Sequence, residues 1–429
     1  MSTYLVYTHP SAGHTYPLVP GLLELQSRGH RVEVVTAPAL VAPLTAAGLS
    51  TVAVDPRILA IQSDDYKEAT GSGRLRRGLG SMLDRGDLET ADLERHVARV
   101  DPDVVVVDPI TYGAQVAAER SGLPWVVVTA SLLAMPGAGI PPYGLGLAPW
   151  RGPVGRLRDA VLWRVVEGLY RRALMPGVNR MRTAAGLSRL RSPLDLNDRP
   201  DRLLVLSGQP LEYARTDLPV HVRFVGAQQW DPPAEPPAWL LEDGDPWVLV
   251  TCSTEYQADE ELARVAVEAL RDEPVRVLIT LADAYATANL PVADNIRVER
   301  FVPHRLVLDR ACAVVCPAGM GLVQKAVSQG VPVVAVPFGR DQPEVARRVV
   351  QAGAGVALRA DRLRADRLRQ ALREARTIAF RAAAAGARLR ASGGPHRLAD
   401  ELEEAAPGDL SVRETPGQQS HLPVGVETA

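Results

Sequence analysis

The chain has 429 residues and carries 48 Lys or Arg against 50 Asp or Glu, which gives a formal net charge of −2 at pH 7. That balance gives no reason to expect a nucleic acid or an anionic membrane as a partner. No stretch approaches the ~20 consecutive apolar residues of a membrane helix, so we expect no membrane insertion. The length predicts two or three domains.

Cysteine usage and the N-terminus predict a cytoplasmic protein. The chain begins directly with a strand-like segment and has no charged leader of the kind that opens a signal peptide. Its three cysteines, Cys252, Cys312 and Cys316, form no Cys-x-x-Cys motif and no disulfide framework. Cys312 and Cys316 flank a predicted buried strand, which is typical of unreactive core thiols in a reduced compartment.

The N-terminal half opens with alternating strands and helices. The pattern predicts a strand over 3–8, a turn over 9–14, a helix over 16–28 and a second strand over 31–36. This start favours a parallel, doubly wound sheet. The turn is not Gly-x-Gly-x-x-Gly, and no well-placed acidic residue supports dinucleotide binding.

Two segments of this half lose the alternation. Residues 58–100 are polar and include five glycines, so they predict one or two short helices and mobile loops. Residues 131–152 are rich in Pro and Gly and predict a loop. The other predicted elements are helices over 39–46, 111–121 and 157–184, and strands over 51–54, 103–107, 124–128 and 203–206.

A proline-rich segment separates the two halves of the chain. Residues 231–237 have the sequence DPPAEPP and predict an inter-domain linker. A second alternating series follows this linker. Its predicted strands cover 247–251, 275–280 and 296–299, and its predicted helices cover 258–270, 342–352, 360–375 and 376–390.

The stretch 300–342 carries the strongest functional pattern. A buried strand is predicted over 313–315, and it ends at the glycine-rich turn 317–321, which enters a helix. Another buried strand follows over 331–337, with an Asp-Gln pair at 341–342 just beyond it. Ligands of open parallel sheets bind outside the carboxyl ends of the strands, and a turn entering a helix offers N–H groups to a phosphate. This stretch therefore predicts a phosphate-binding site.

The order and spacing of this stretch resemble the donor-binding box of inverting, nucleotide-sugar-dependent glycosyltransferases of family 1, GT-B type, in their bacterial natural-product and macrolide branch. Three positions depart from the family pattern. Pro317 replaces its phosphate-binding histidine, Leu322 its Ser/Thr, and Lys325 its ribose-binding glutamate. The matching residues are Phe301, Val302, Pro303, His304, Ala318, Gly319, Gly321, Gly330, Val331, Pro332, Asp341 and Gln342.

The resemblance implies an α/β protein of two Rossmann-like, doubly wound parallel-sheet domains that face a central cleft. We expect an acceptor-binding domain over 1–225, a linker over 226–240 and a nucleotide-sugar-binding domain over 241–395. In the resembled fold a last helix, here 396–406, crosses back to the first domain. Residues 407–429 have no apolar pattern, so we expect them to be disordered.

A base and its orienting acid are predicted in the first domain. His14 follows the first strand, and its unperturbed pKa of about 6.5 suits a general base. Gly13, His14 and Pro17 match the family pattern, and Asp108 matches the acid that the resemblance pairs with the histidine. The alternatives are a solvated turn histidine, His9 as the base, and Asp108 as a helix N-cap.

The resemblance also assigns the donor contacts. Hydroxyls after the second domain's first strand would meet the diphosphate, Phe301 would stack on the base, and Asp341 and Gln342 would bind sugar hydroxyls. Lys325 either reaches back to the ribose and phosphates or faces solvent. Strand-end capping, a core aromatic and a plain loop are the competing interpretations. The predicted donor set is Thr251, Ser253, Thr254, Phe301, Val302, Pro317, Ala318, Gly319, Met320, Gly321, Lys325, Asp341 and Gln342.

The favoured interpretation is a glycosyltransferase that moves a sugar, most simply a deoxysugar from a dTDP- or UDP-sugar, with inversion onto a hydroxyl or amine of a small apolar natural product. We expect no metal and no cofactor, because the nucleotide sugar is a substrate; a homodimer stays open. Two alternatives remain: a nucleotide-sugar epimerase or hydrolase of the same fold, and a non-catalytic partner of a true transferase. The departures at Pro317, Leu322 and Lys325 favour the latter.

Overall fold

The computed structural model describes residues 1–253, 257–286, 288–291 and 293–407. The predicted disorder of 407–429 therefore falls almost wholly outside the described residues. Seven strands form the N-terminal sheet: β1 (Thr3–Tyr7), β2 (Arg31–Thr36), β3 (Ser50–Ala53), β4 (Val104–Val107), β5 (Trp125–Thr129), β6 (Arg202–Val205) and β7 (Val222–Phe224).

These strands are all parallel and follow the order β3-β2-β1-β4-β5-β6-β7. A parallel sheet is buried on both faces, and this is why β4 consists of four consecutive, fully buried valines. The helices of this domain are α1 (Ala12–Thr15), α2 (Val19–Ser27), α3 (Pro38–Ala46), α4 (Pro56–Ala60), α5 (Gly71–Val100), α6 (Tyr112–Ser121) and α7 (Pro153–Ala184).

Among the described residues, the C-terminal domain has six parallel strands: β8 (Trp247–Thr251), β9 (Arg276–Thr280), β10 (Ile296–Glu299), β11 (Ala311–Cys316), β12 (Val333–Ala335) and β13 (Gly355–Ala357). Their order is β10-β9-β8-β11-β12-β13. The predicted fold class, two doubly wound parallel-sheet α/β domains, is confirmed. The helices are α8 (Ala238–Leu241), α9 (Glu260–Leu270), α10 (His304–Leu308), α11 (Met320–Ser328), α12 (Gln342–Gln351), α13 (Ala365–Thr377), α14 (Ala379–Arg390) and α15 (Pro395–Glu403).

The prediction of short helices and mobile loops over 58–100 is wrong, because α5 is one helix of 30 residues. Its glycines allow close helix packing. A Cβ added at Gly86 would lie 2.2 Å from Met181 Sδ, and one added at Gly113 of α6 would lie 1.8 Å from the Gly86 carbonyl oxygen. A glycine costs a helix about 1 kcal/mol relative to alanine, and this close packing of α5 on α6 and α7 offsets the cost.

The chain returns to the N-terminal domain at its described end. In α15, Leu398 is fully buried in the N-terminal core, and it packs so closely on α2 that a Cβ added at Gly21 would lie 2.4 Å from its Cδ2. Glu403 accepts hydrogen bonds from Arg28 at 2.7 Å and from His30 at 2.8 Å. The first domain is therefore built from both ends of the chain.

A buried arginine joins the two domains behind the cleft. Arg348 of α12 donates to Glu344 of the same helix at 2.9 Å and to Glu212 and the Leu211 carbonyl of the N-terminal domain at 3.3 and 3.1 Å. Its guanidinium lies 3.4 Å from the centroid of the Tyr213 ring. Burial raises the pKa of Glu212 to about 7, although Arg348 opposes the shift.

Glu89 makes the stability of the N-terminal domain pH-dependent. It is buried in α5 and accepts the Gly113 N–H at the start of α6 at 3.1 Å. Burial raises its pKa to about 8 from the ordinary value of 4.5, so the folded chain keeps a proton that the unfolded chain releases. Its contribution to the free energy of unfolding is therefore complete below pH 4.5 and is lost as pH rises toward 8.

We expect Glu89→Gln to flatten this pH dependence, because glutamine keeps an acceptor for Gly113 and does not titrate. Thermal unfolding in a series of buffers between pH 4.5 and 8 measures the effect as the difference in midpoint between variant and wild type. The exposed carboxylate of Asp84 lies on the same helix, so Asp84→Asn is the matched control. A constant difference across the series would contradict the assignment.

Candidate active site

One cavity of about 1640 Å³ separates the two domains. Its walls include His14 and Ser131 of the N-terminal domain and Gly319, Lys325 and Asp341 of the C-terminal domain. In both sheets these residues follow the carboxyl ends of parallel strands, the position at which open α/β sheets bind ligands. Predicted residues from both halves of the sequence therefore meet in one space.

His14 borders this cavity and forms a hydrogen-bonded pair with the buried Asp108. His14 Nδ1 lies 2.7 Å from Asp108 Oδ2, and the two side chains are 30% and 3% exposed. They meet because β1 and β4 are parallel neighbours and each residue follows the end of its strand. With the carboxylate as acceptor, the proton resides on Nδ1 and the lone pair on Nε2. This tautomer suits a general base.

Asp108 does not cap a helix, the alternative raised from the sequence. The N-cap of α6 is Thr111, whose hydroxyl donates to the Asp108 carbonyl at 2.8 Å. The second carboxylate oxygen of Asp108 accepts the Ile110 N–H at 3.0 Å, which fixes the carboxylate toward His14. His9, the competing base, also borders the cavity, but it is buried and packs its ring edge-on at 4.9 Å from that of His14.

The glycine-rich turn presents a helix N-terminus to the cavity. The first internal bond of α11 runs from the Val323 N–H to the Gly319 carbonyl, so the N–H groups of Met320, Gly321 and Leu322 precede it. A Cβ added at Gly319 or Gly321 would meet no described atom within 4 Å. The glycines therefore leave open space beside the positive end of the helix dipole, an arrangement that fits a phosphate.

Two neighbouring loops are tied together by Gln342. Its Oε1 accepts the N–H groups of Phe338 and Gly339 at 2.8 and 3.1 Å. Its Nε2 donates to Ser253 Oγ at 3.4 Å and to Gln257 Oε1 at 3.1 Å. Thr251 is buried at the end of β8 and also borders the cavity. Thr254, a predicted donor contact, lies outside the described residues.

Asp341 is held from across the cleft. Ser131, which follows β5 of the N-terminal domain, donates to Asp341 Oδ2 at 2.7 Å, and its hydroxyl also lies 3.1 Å from that of Tyr143. Sequence reasoning missed Ser131 and Tyr143. The position of Ser131 just beyond a predicted strand is the signal that marks it, whereas Tyr143 lies in a Pro- and Gly-rich loop without a pattern.

Lys325 does not face solvent, and it is paired with an acid at the edge of the cavity. Its Nζ lies 2.6 Å from Asp231 Oδ1, and the two side chains are only 14% and 6% exposed. Asp231 belongs to the linker, and its other oxygen accepts the Arg305 N–H at 3.2 Å. His304 lies beside the pair, and burial, followed by the Lys325 charge, lowers its pKa to about 4. The ion pair therefore fastens the linker to α11 at the edge of the cavity.

The remaining donor-box residues divide between cavity and core. Phe301 is 52% exposed and borders the cavity, as does Pro317. The side chains of Val302 and Ala318 lie instead in the hydrophobic core of the C-terminal domain, so only the backbone of these two residues is placed to contact a donor. Successive extended residues point to opposite sides, so exposing Phe301 buries Val302.

An apolar wall lines the N-terminal part of the cavity and was not predicted. It is built from one face of α5 and one face of α7. The face of α5 could not be predicted, because residues 71–100 were not recognised as a single helix. Such a wall suits a largely apolar ligand. Its members include Leu75, Leu79, Met82, Trp163, Tyr170 and Leu174.

The described residues contain no group of three or more His, Cys, Asp or Glu side chains placed to hold a metal ion. Within the same ranges, every helix is too short or too polar to cross a membrane.

The cavity and its two domains have counterparts among known proteins. A family model described as Erythromycin biosynthesis protein CIII-like, C-terminal domain, matches residues 265–404. The chain is 33% identical over 384 residues to 4'-demethylrebeccamycin synthase of Lentzea aerocolonigenes, a match that covers 86% of this chain and 90% of that protein.

Solved structures share the architecture. The glycosyltransferase of kitacinnamycin superposes with a TM-score of 0.71 at 24% identity, covering 95% of this chain and 99% of that one. The glycosyltransferase VinC in complex with dTDP superposes with a TM-score of 0.66 at 22% identity, covering 94% and 98%.

Two parallel-sheet domains around one cavity, together with these similarities, define a GT-B glycosyltransferase. The chain belongs to the family of natural-product glycosyltransferases that includes 4'-demethylrebeccamycin synthase. The resemblance noted in the sequence is thereby confirmed.

The Lys325–Asp231 pair yields a stability prediction. Removing one partner leaves the other charge buried and uncompensated, so Lys325→Met and Asp231→Asn should each destabilise the fold by roughly 3 kcal/mol. The double variant should recover most of this loss, because it buries no lone charge. Urea unfolding of the four proteins measures the coupling.

The exposed pair Arg359–Asp361, whose side chains are 71% and 58% exposed, supplies the control. Arg359→Met should leave the urea midpoint close to that of the wild type, because solvent screens an exposed pair. Strictly additive losses at Lys325 and Asp231 would contradict the buried-pair account.

Proposed function

We propose that the chain transfers a sugar with inversion from a dTDP- or UDP-linked donor, most simply a deoxysugar, to a hydroxyl or amine of a small, largely apolar natural product. The observation that carries this proposal is that His14, hydrogen-bonded to the buried Asp108, borders the same cavity as the N-terminus of α11. Base and leaving-group site are then on opposite walls, as a single displacement requires.

Each wall has a role in the reaction. His14 Nε2 accepts the proton of the acceptor O–H or N–H as that atom attacks the anomeric carbon. The bond from that carbon to the diphosphate oxygen breaks, and the nucleoside diphosphate leaves with the electron pair. Asp108 stabilises the imidazolium, and the N–H groups that open α11 stabilise the charge growing on the phosphate.

The donor is assigned to the C-terminal wall. Phe301 offers a stacking face for the base, and the α11 turn offers N–H groups for the diphosphate. Asp341 offers acceptor oxygens to sugar hydroxyls, while Thr251 and Ser253 offer hydroxyls to the diphosphate. Gln342 serves here by fixing the loops that carry these groups, because both ends of its amide already bond to them.

The acceptor is assigned to the apolar wall of α5 and α7. Its size and its aromatic members suit a fused-ring or macrocyclic molecule better than water, and this favours transfer over hydrolysis. The rebeccamycin relative, by its name, acts in the synthesis of such a natural product.

A second candidate function is a non-catalytic partner of a transferase. Pro317 and Leu322 carry no polar side-chain group toward a phosphate, and Lys325 is committed to Asp231. Donor binding separates the two functions, because only the enzyme requires it.

For the enzyme, we expect His14→Ala to lower kcat by about 10²-fold or more while the affinity for the nucleoside diphosphate stays near wild type. Asp108→Asn should lower kcat by a similar or smaller factor, since a base remains but its orientation and charge partner change. Product mass in assays with dTDP- and UDP-sugars and a panel of apolar acceptors gives the rates. His221→Asn, outside the cavity, is the control, and near-wild-type turnover in His14→Ala would refute the base assignment.

A negative charge introduced at the N-terminus of α11 tests whether the donor diphosphate binds there. Because a side chain at Gly321 meets open space, Gly321→Asp should fold normally but repel a diphosphate. We expect its Kd for dTDP or UDP, by calorimetry, to rise about tenfold more than in the isosteric Gly321→Asn. Equal affinities in the two variants would place the diphosphate elsewhere, and no binding by the wild type would favour the non-catalytic partner.

A further inference from the structure

The first half of α7 projects beyond the packing of the N-terminal domain. The buried residues of the helix concentrate in its second half, between Leu174 and Arg182, where it packs on α5 and α6. In the first half, Gly155 and Asp159 are the buried positions. The outer side of residues 153–172 is therefore left without a neighbouring element among the described residues.

This outer side carries an apolar stripe. Val154, Leu157, Val161, Val165 and Leu169 are 61%, 67%, 50%, 53% and 38% exposed. Their spacing of three or four residues places them on one face of the helix, which we call the α7 outer face. Isolated exposed aliphatic residues are ordinary, but five in one row mark an interaction site.

Positive charge accompanies the stripe. The segment 150–172 contains six arginines and two acids. Asp159 is buried beside Arg158, and the partly exposed Glu167 borders the cavity and accepts a hydrogen bond from Ser192 Oγ at 2.6 Å. The exposed arginines are Arg151, Arg156, Arg164, Arg171 and Arg172. The whole chain has a net charge of −2, so this concentration is local.

The face continues to the cavity. Leu169 belongs both to the stripe and to the cavity wall, and Leu145, another exposed wall residue, is 44% exposed. Trp150, 52% exposed just before the helix, stacks under the Arg158 guanidinium at 5.6 Å. Helices that lie in the headgroup region of a bilayer have this composition: aliphatic side chains and a tryptophan on one face, with arginines at its border.

We propose that the α7 outer face docks on the surface of a membrane that contains anionic lipids. The aliphatic row enters the headgroup boundary and the arginines meet the lipid phosphates. A second copy of the chain fits this face less well, because a symmetric pair would bring the five exposed arginines of each copy together. Docking does not depend on the proposed reaction; if that reaction holds, the cavity opens beside the bilayer, where apolar acceptors accumulate.

Flotation of the full-length chain with vesicles tests the proposal. One vesicle set is phosphatidylcholine alone, and the other contains about one third phosphatidylglycerol. We expect the wild type to float with the anionic vesicles and not with the neutral ones, and to be released by high salt. Arg164→Gln with Arg171→Gln should weaken binding about fivefold per arginine removed.

Leu157→Glu with Val161→Glu should abolish flotation. Matched controls carry the same changes at other exposed sites: Val220→Glu with Phe380→Glu, which are 78% and 69% exposed, and Arg359→Gln with Arg367→Gln. Thermal midpoints establish that all variants fold. Since every substituted side chain is exposed, we expect them to match the wild type.

Three outcomes would overturn the proposal. The wild type could fail to float with anionic vesicles, in which case the face serves a protein. The face variants could float as well as their controls, or the wild type could sediment as a dimer that Leu157→Glu with Val161→Glu dissociates. The proposal is supported if the wild type and the control variants float with anionic vesicles and the variants of the α7 outer face do not.

Discussion

Parallel strand pairing decides which residues can act together in this protein. The polar groups of the cavity follow the carboxyl ends of strands, and adjacent strands bring their ends together. His14 and Asp108 are 94 positions apart in sequence, yet the pairing of β1 with β4 places their side chains 2.7 Å apart. In the second sheet, the pairing of β11 with β12 places the turn 317–321 and Asp341 at the same edge of the sheet. The chemistry therefore depends on strand order before it depends on any single contact.

This dependence explains what the sequence could predict. Runs such as Val104 to Val107 indicate buried parallel strands without ambiguity, and the residue after each run is then placed at the cavity edge. The glycines of α5 lower the helix propensity of its sequence, so local pattern does not predict the helix. In the structure they allow close contact with α6 and Met181, which only the tertiary fold reveals. Val302 and Ala318 matched a motif, but a motif does not say which side chains of the matched segment are buried.

Lys325 shows most clearly what the sequence alone cannot predict. From the sequence, its helix position left solvent and phosphate as the two choices, because the path of the linker is a tertiary property. The structure brings Asp231 to it, 94 residues away in the chain. A buried lysine in water-poor surroundings costs several kcal/mol unless it is paired, so a lysine at this position requires a nearby acid. Asp231 meets that requirement.

The Lys325–Asp231 ion pair also limits the positive charge that is available to a bound diphosphate. Asp231 neutralises Lys325, and His304, with its pKa lowered to about 4, is uncharged at pH 7. Neither residue adds net positive charge beside α11, and Pro317 adds none. The stabilisation available at this turn is then the helix N-terminus, worth about 0.3–2 kcal/mol. A donor bound here then takes a larger share of its affinity from base stacking, from sugar contacts and from the neighbouring hydroxyls of Thr251 and Ser253.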